Sequence, residues 1–243
     1  MSKSGREPKR RQLLLSCEHA TNKVPAKFQK LFADDPRVLS SHRGWDPGTL
    51  ELGKRLDREF GTGLHLGQVS RLLVELNRSL NHQRLFSEFS EPLPDAEREI
   101  LIQKYWKPYR EKIQEEIKSR IRRGENVIHI SLHSFTPVYD GVAREVDIGL
   151  LFDPKRRAEV AAANRWIADL KKRLPDFRVR RNYPYRGTSD GLTTSLRNFF
   201  PGKNYAGIEL EISQKFPLGP KVKWIDLQKK LVDSIRFLTS LDS

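Results

Sequence analysis

Three short apolar stretches of this chain carry side chains that can do chemistry at or near their ends. Ser16-Cys17-Glu18-His19 closes the first, Ser131-Leu132-His133-Ser134 the second, and Glu209-Leu210-Glu211 lies in the third. From Asn126 the second reads N-V-I-H-I-S-L-H-S, which puts Ile128, Ile130 and Leu132 on one face of an expected strand and His129, Ser131 and His133 on the other. Two histidines and a carboxylate, with one position left for water, form the usual catalytic zinc site. A second carboxylate within reach of that water serves as general base. His19 and His133 are the candidate histidines. Asp46, Glu18 and Asn22 compete for the third ligand position. Asp46 is preferred, because Asn is the poorest zinc ligand of the three and Asp46 opens a helix within the Gly-rich loop S-H-R-G-W-D-P-G. Glu209 and Glu211 share one face of the last strand, and a buried acid needs a partner or a metal.

Arg71, Arg78, Arg144 and Arg186 stand in or beside loops and strand ends, where a guanidinium fork suits a substrate carboxylate. Asn77-Arg78 directly follows a stretch that reads as strand, and Ser134 joins them as a substrate-binding candidate. Each of these has a plainer reading. The 126–133 strand can simply turn its polar face to water, Asp46 can serve only as an N-cap, His19 can cap a helix, and any one arginine can be solvated. His42, His65, His82 and His129 are read as ordinary.

The elements that would position these groups alternate along the chain. Gln12–Cys17 reads as a buried parallel strand, residues 27–32 as a short helix and Thr49–Phe60 as a helix ended by Gly61–Gly63. Leu64–Val69 and Arg71–Leu76 read as strand, and 81–95 as a polar loop. Ala96–Arg123 is the longest expected helix, kinked or divided at Pro108. After the 126–133 strand come a loop at 136–146, a strand at 147–152, a helix to about Leu174 and a strand at 177–181. A long loop at 182–202, a strand at 205–212 and a helix at 221–241 complete the order. This alternation predicts a three-layer α/β/α sandwich around a mixed, mostly parallel sheet, with ligands beyond the carboxyl ends of its strands.

At 243 residues the chain suits one catalytic domain, 12–243, preceded by a disordered basic arm, Met1–Arg11. No apolar run is long enough to span a membrane and no signal peptide is recognisable, so the expected compartment is the cytoplasm. A single cysteine excludes an internal disulfide and a thiolate metal cluster, leaving histidines and carboxylates as ligands. The net charge of +14 could steer acidic substrates or nucleic acid. No helix-turn-helix, zinc finger, RNP strand or GXXG loop accompanies it, and a solvated basic face is the preferred account.

The segments S-C-E-H-A-T-N at 16–22, V-S-R-L-L-V-E-L-N-R-S at 69–79, S-L-H-S-F at 131–135, R-E-V-D-I-G at 144–149, Y-P-Y-R-G at 183–187 and E-L-E-I at 209–212 resemble the N-formylglutamate amidohydrolase family. The resemblance runs from about Leu13 to Phe216. It implies a phosphorylase/hydrolase-like core, similar in fold to zinc carboxypeptidases and aspartoacylases. Carried over from the carboxypeptidase segments, it makes His19 and His133 zinc ligands, Glu211 rather than Glu209 the general base, and Asn77-Arg78 the holder of a substrate carboxylate. Where the carboxypeptidase pattern has a glutamate three residues after the first zinc histidine, this chain has Asn22. The implied reaction is zinc-assisted hydrolysis of a small anionic N-acyl amino acid, N-formyl-L-glutamate first among them. Arg144 or Arg71 would assist Arg78 on the carboxylate, and Arg or Asn donors would bear oxyanion charge. Deacylation of another N-acyl amino acid, cleavage of a small peptide and non-catalytic nucleic-acid binding are the competing expectations.

Overall fold

The structure, a computed structural model, describes residues 11–240. The basic arm expected at Met1–Arg11 lies outside the described residues, except that the backbone of Arg11 opens the first strand. The strands are β1 (Arg11–Cys17), β2 (Leu64–Leu66), β3 (Asn126–Phe135), β4 (Val138–Tyr139), β5 (Val142–Ala143), β6 (Ile148–Leu151), β7 (Val179–Arg181) and β8 (Tyr205–Ser213). Six of them form one sheet in the order β2-β1-β3-β8-β6-β7, and β4 with β5 makes a separate small hairpin. β2, β1, β3 and β8 run parallel, whereas β6 pairs antiparallel with β8 and parallel with β7. Helices α1 (Thr49–Phe60), α2 (Asp95–Leu101), α3 (Lys107–Arg122), α4 (Arg157–Arg173), α5 (Leu192–Phe199) and α6 (Lys221–Ser240) cover both faces, which gives the three-layer mixed sandwich that the sequence predicts.

Alternation along the strands assigns the two faces. Leu13, Leu15, Ile128, Ile130, Ile208 and Leu210 pack in one core with α1, α4 and α6. The opposite face carries Leu14 and Val127 at its lower end, beneath Ile113 and Ile117 of α3 and Leu192 and Leu196 of α5. His129, Ser131 and His133 continue that second face, so they lie under protein and not in water; all three are at most 3% exposed. The half-exposed strand that the alternation also allowed is thereby excluded.

Four local expectations change. The strand read over 64–76 stops at Leu66. Leu72, Leu73, Val74 and Leu76 are apolar because they fill a second core with Phe28, Phe32, Leu85 and Leu101, not because they extend the sheet. The long helix is divided by a π-helical segment at Ile102–Trp106, and Pro108 falls in the first turn of α3, where its missing N–H leaves no helical bond unmade. The 182–202 loop contains α5, whose two turns bury Leu192, Thr193, Leu196 and Arg197 in a run too short for periodicity to reveal. The 136–146 loop holds the β4–β5 hairpin. No helix among the described residues is long and apolar enough to cross a membrane.

Candidate metal centre

β1 and β3 run parallel with Ser16 opposite Ser131, so both chains leave the sheet side by side at their carboxyl ends. His19 follows β1 by two residues, and its carbonyl accepts the Asp46 N–H at 3.0 Å, which ties the loop before α1 to the end of β1. Asp46 does not cap α1 with its side chain, as the sequence allowed. Its carbonyl receives the Thr49 N–H and hydroxyl, and its carboxylate is turned to the histidines. Gly48 permits that turn, at φ +84°, where a Cβ would sit 2.4 Å from Pro217.

His19 Nδ1 and His133 Nδ1 both point at one oxygen, Asp46 Oδ2, at 3.2 and 3.1 Å. The three side chains can offer one ligand atom each, all within 4.8 Å of one another. The other ring nitrogens are fixed by acids. His19 Nε2 donates to Glu75 Oε1 at 2.5 Å, while His133 Nε2 lies 2.9 Å from Ser131 Oγ and 3.1 Å from Glu18 Oε2. Ser131 in turn donates to Glu18 Oε2 at 2.6 Å, and Ser16 and Tyr109 donate to Oε1 at 2.7 and 3.0 Å. Metal-binding imidazoles commonly give their distal N–H to a carboxylate, which fixes the tautomer and raises ligand basicity. Glu18, weighed as a ligand from sequence, holds a histidine instead.

The electrostatics agree with a cation-binding role. Burial alone would raise the carboxyls of Glu18 and Asp46, but His133 and its hydroxyl neighbours hold Glu18 low, and His19, His133 and Arg71 hold Asp46 low. Burial likewise acts to raise Glu75, and Arg71 and His19 outweigh it. The imidazoles of His19 and His133 move up despite burial, drawn by Glu75 and Asp46 in the first case and by Asp46 and Glu18 in the second. Three carboxylates thus face two imidazoles and the Arg71 guanidinium, and the two Nδ1 atoms with Asp46 Oδ2 make a donor set of nitrogen and oxygen. These residues therefore fit a metal with N and O preference.

Glu211 completes the cluster. It stands opposite His133 in the β3–β8 register and opposite Gly149 across β6. The Tyr183 carbonyl lies 2.1 Å from where a Cβ would stand at Gly149, so only glycine lets the 182–191 loop close over this strand end. Glu211 is 5% exposed, and its Oε2 has no hydrogen-bond partner. Burial pushes its carboxyl up to about 7 against the pull of His133. Glu209 is committed elsewhere, accepting the Thr193 hydroxyl of α5.

The remaining candidates separate into groups. Arg71 bridges Asp46 Oδ1 at 3.3 Å and Glu75 Oε2 at 2.6 Å. Arg144 is stacked among Phe135, Tyr139 and Tyr185, 5.8, 4.7 and 5.0 Å from the ring centroids, and donates to Tyr185 Oη at 3.1 Å. Arg78 donates to the carbonyls of Asn77 and Asp190, and Asn77 Oδ1 accepts the first N–H of α5 at 2.6 Å. Ser134 gives its backbone N–H to Asp46 Oδ2 and its hydroxyl to the Pro47 carbonyl, which places it as a brace for the Asp46 loop. Arg186 is exposed and its side chain makes no hydrogen bond or ion pair among the described residues. His129 is fully buried between Ser16 and Tyr205, and burial drives it down to about 3, a neutral structural histidine. Sequence reasoning did not single out Glu75 or Tyr185. Both lie in segments that carried the family resemblance, and an acid inside an otherwise apolar run was the available signal for Glu75.

Because Glu75 orients His19, Glu75→Gln is expected to weaken binding of a metal at this site roughly 10- to 100-fold with the fold intact. Chelator competition beside a thermal melt measures both. Unchanged affinity would remove Glu75 from the site.

Over residues 11–216 the chain matches the sequence family described as N-formylglutamate amidohydrolase. Among solved structures, a gene product from Agrobacterium tumefaciens is 29% identical and covers 96% of this chain and 92% of its own, at a TM-score of 0.81. An N-formylglutamate amidohydrolase from Ralstonia eutropha JMP134 is 18% identical over 96% of this chain and 94% of its own, with a TM-score of 0.70, a likeness of fold. No curated protein matches the sequence.

Proposed function

The chain belongs to the N-formylglutamate amidohydrolase family, and from that premise we propose that it is a zinc-dependent hydrolase that splits N-formyl-L-glutamate into formate and L-glutamate. The observation that carries the metal is the convergence of two Nδ1 atoms on one Asp46 oxygen, with each Nε2 held by an acid. His19, His133 and Asp46 would hold the zinc ion, which when bound would supply Lewis acidity to the acyl carbonyl and lower the pKa of water.

The protein's own groups do the rest. Glu211, whose Oε2 is unpartnered beside the histidines, takes a proton from the attacking water and delivers it to the departing amine. Arg71 keeps Asp46 and Glu75 ionised and oriented. Neither Arg78 nor Arg144 has an acid partner among the described residues, so two guanidiniums remain to meet the two carboxylates of an N-acyl glutamate. Tyr185 accepts from Arg144 and keeps its own hydroxyl hydrogen to donate to developing oxyanion charge. Asn77 sets the start of α5 and so the wall that Arg78 leans on. The lone cysteine, Cys17, is buried and its thiol raised by that burial, which suits a reducing cytoplasm.

The test is hydrolysis of a panel of N-formyl, N-acetyl and N-succinyl amino acids, followed by formate release and amine detection. N-formyl-L-glutamate should be the best substrate, activity should vanish on chelation, and zinc should restore it. Preference for another acyl group would keep the chemistry and change the substrate. Hydrolysis that survives complete metal removal would overturn the reading.

A further inference from the structure

The metal centre does not account for the basic excess of this chain, and part of that excess converges at a separate place. A cavity of about 580 Å³ opens at the edge of the sheet beside β2, between α1, α3 and the loop that follows β1. Lys23 of that loop, Lys54 of α1, Lys104 of the π-helical segment and Lys112 of α3 all line it. Among the described residues, no aspartate or glutamate lines it. Leu64, Leu66 and Tyr105 supply apolar wall between the lysines.

A solvated helix face would explain lysines on one element, but these come from three: the loop after β1, α1, and the continuous helix formed by the π-helical segment and α3. Their unpaired state is also selective. On the same continuous helix, Lys107 and Lys118 pair with Glu111 and Glu115, whereas Lys104 and Lys112 have no acid partner among the described residues. Two further acids on the flanking helices are committed elsewhere: Glu116 to His65 and Arg120, and Glu51 to Trp224 and Gln228. Lys104 instead lies over the Tyr105 ring, 5.5 Å from its centroid and within the roughly 6 Å reach of a cation–π contact. The cavity wall is firm, because Tyr109 is anchored by its hydroxyl on Glu18. Its size is that of a small-molecule site, and ammonium groups without guanidinium forks suit phosphate as point charges.

We propose that this cavity is a second ligand site, which takes an organic phosphate with its charged head among Lys23, Lys54, Lys104 and Lys112 and its apolar or aromatic body against Leu64, Leu66 and Tyr105. None of the four lysines touches the metal centre among the described residues, although the cavity wall reaches it through the Tyr109 hydroxyl on Glu18.

Phenyl phosphate and inorganic phosphate, each titrated calorimetrically into the full-length protein, test it. Phenyl phosphate is expected to bind about tenfold or more tighter than inorganic phosphate, and to weaken as salt is raised. The paired change Lys104→Glu with Lys112→Glu should weaken phenyl phosphate by about tenfold or more, with melting temperature and hydrolysis of N-formyl-L-glutamate unchanged. Lys54→Glu alone, on a different helix, should weaken it as well. Equal binding of the two probes, binding indifferent to all three changes, or displacement of phenyl phosphate by N-formyl-L-glutamate would overturn the proposal. Failure of the hydrolysis assay alone would bear on the catalytic reading and leave these titrations standing.

Discussion

Replacing His133 by alanine is expected, on the proposed reading, to abolish both metal retention and hydrolysis. The imidazole offers Nδ1 toward Asp46 Oδ2 and at the same time holds Glu18 through Nε2. Its loss removes one of three ligand atoms and leaves a fully buried carboxylate without its cation. Breaking a buried pair in this way costs about 3–5 kcal/mol, so lost activity by itself could reflect a destabilised fold. Asp46→Asn separates the two effects. Asn is nearly isosteric and keeps an oxygen for the Ser134 N–H, but it removes the charge that draws a cation. Metal analysis of both purified variants, with thermal melts alongside, is the measurement. Both should lose the metal. Either one retaining metal and full activity would refute the ligand assignment.

As the proposed general base, Glu211 changed to glutamine (Glu211→Gln) should cost activity by about 10²- to 10⁴-fold while metal binding is kept. Metal content is the control that separates a base from a ligand. The same carboxyl gives a second readout in the metal-free protein. Its folded pKa of about 7 lies above the ordinary 4.5, so between those values the folded state holds a proton that the unfolded state has released. Stability therefore falls as pH rises through that window, and at neutral pH and above the penalty amounts to roughly 3 kcal/mol. Glutamine carries no such penalty. The unfolding midpoint of metal-free Glu211→Gln should gain on that of the native protein between about pH 5 and about pH 8. A constant difference across that range would place Glu211 in a solvated setting and count against it as the base.

Much of this site was legible because a strand exposes its own geometry. Period-2 alternation placed His129, Ser131 and His133 on one face, and the polar end of the run singled out the last of them. The same logic marked His19 after β1 and the Glu209/Glu211 pair in β8. Loops give no such reading. Arg71–Leu76 has the composition of a strand, and only the second core under 69–101 explains why it is not one. Glu75 was hidden inside that misread run, although it turned out to hold His19. Ser134 and Asn77 stand where the motifs put them, but their hydrogen-bonding groups are spent on the Asp46 loop and on α5.

The sequence by itself determined the layered α/β architecture, the polar strand ends and the residue types of a His-carboxylate metal site, since these follow from local periodicity and composition. Only the tertiary structure decided which acid serves which histidine. Asp46, Glu18 and Glu75 come from three separate loops, and their division into one shared ligand and two imidazole anchors depends on β1 and β3 lying parallel and in register. Burial made the same decision for the two glutamates of β8. One found a threonine hydroxyl on α5, and the other was left with an unpartnered oxygen at the mouth of the metal centre.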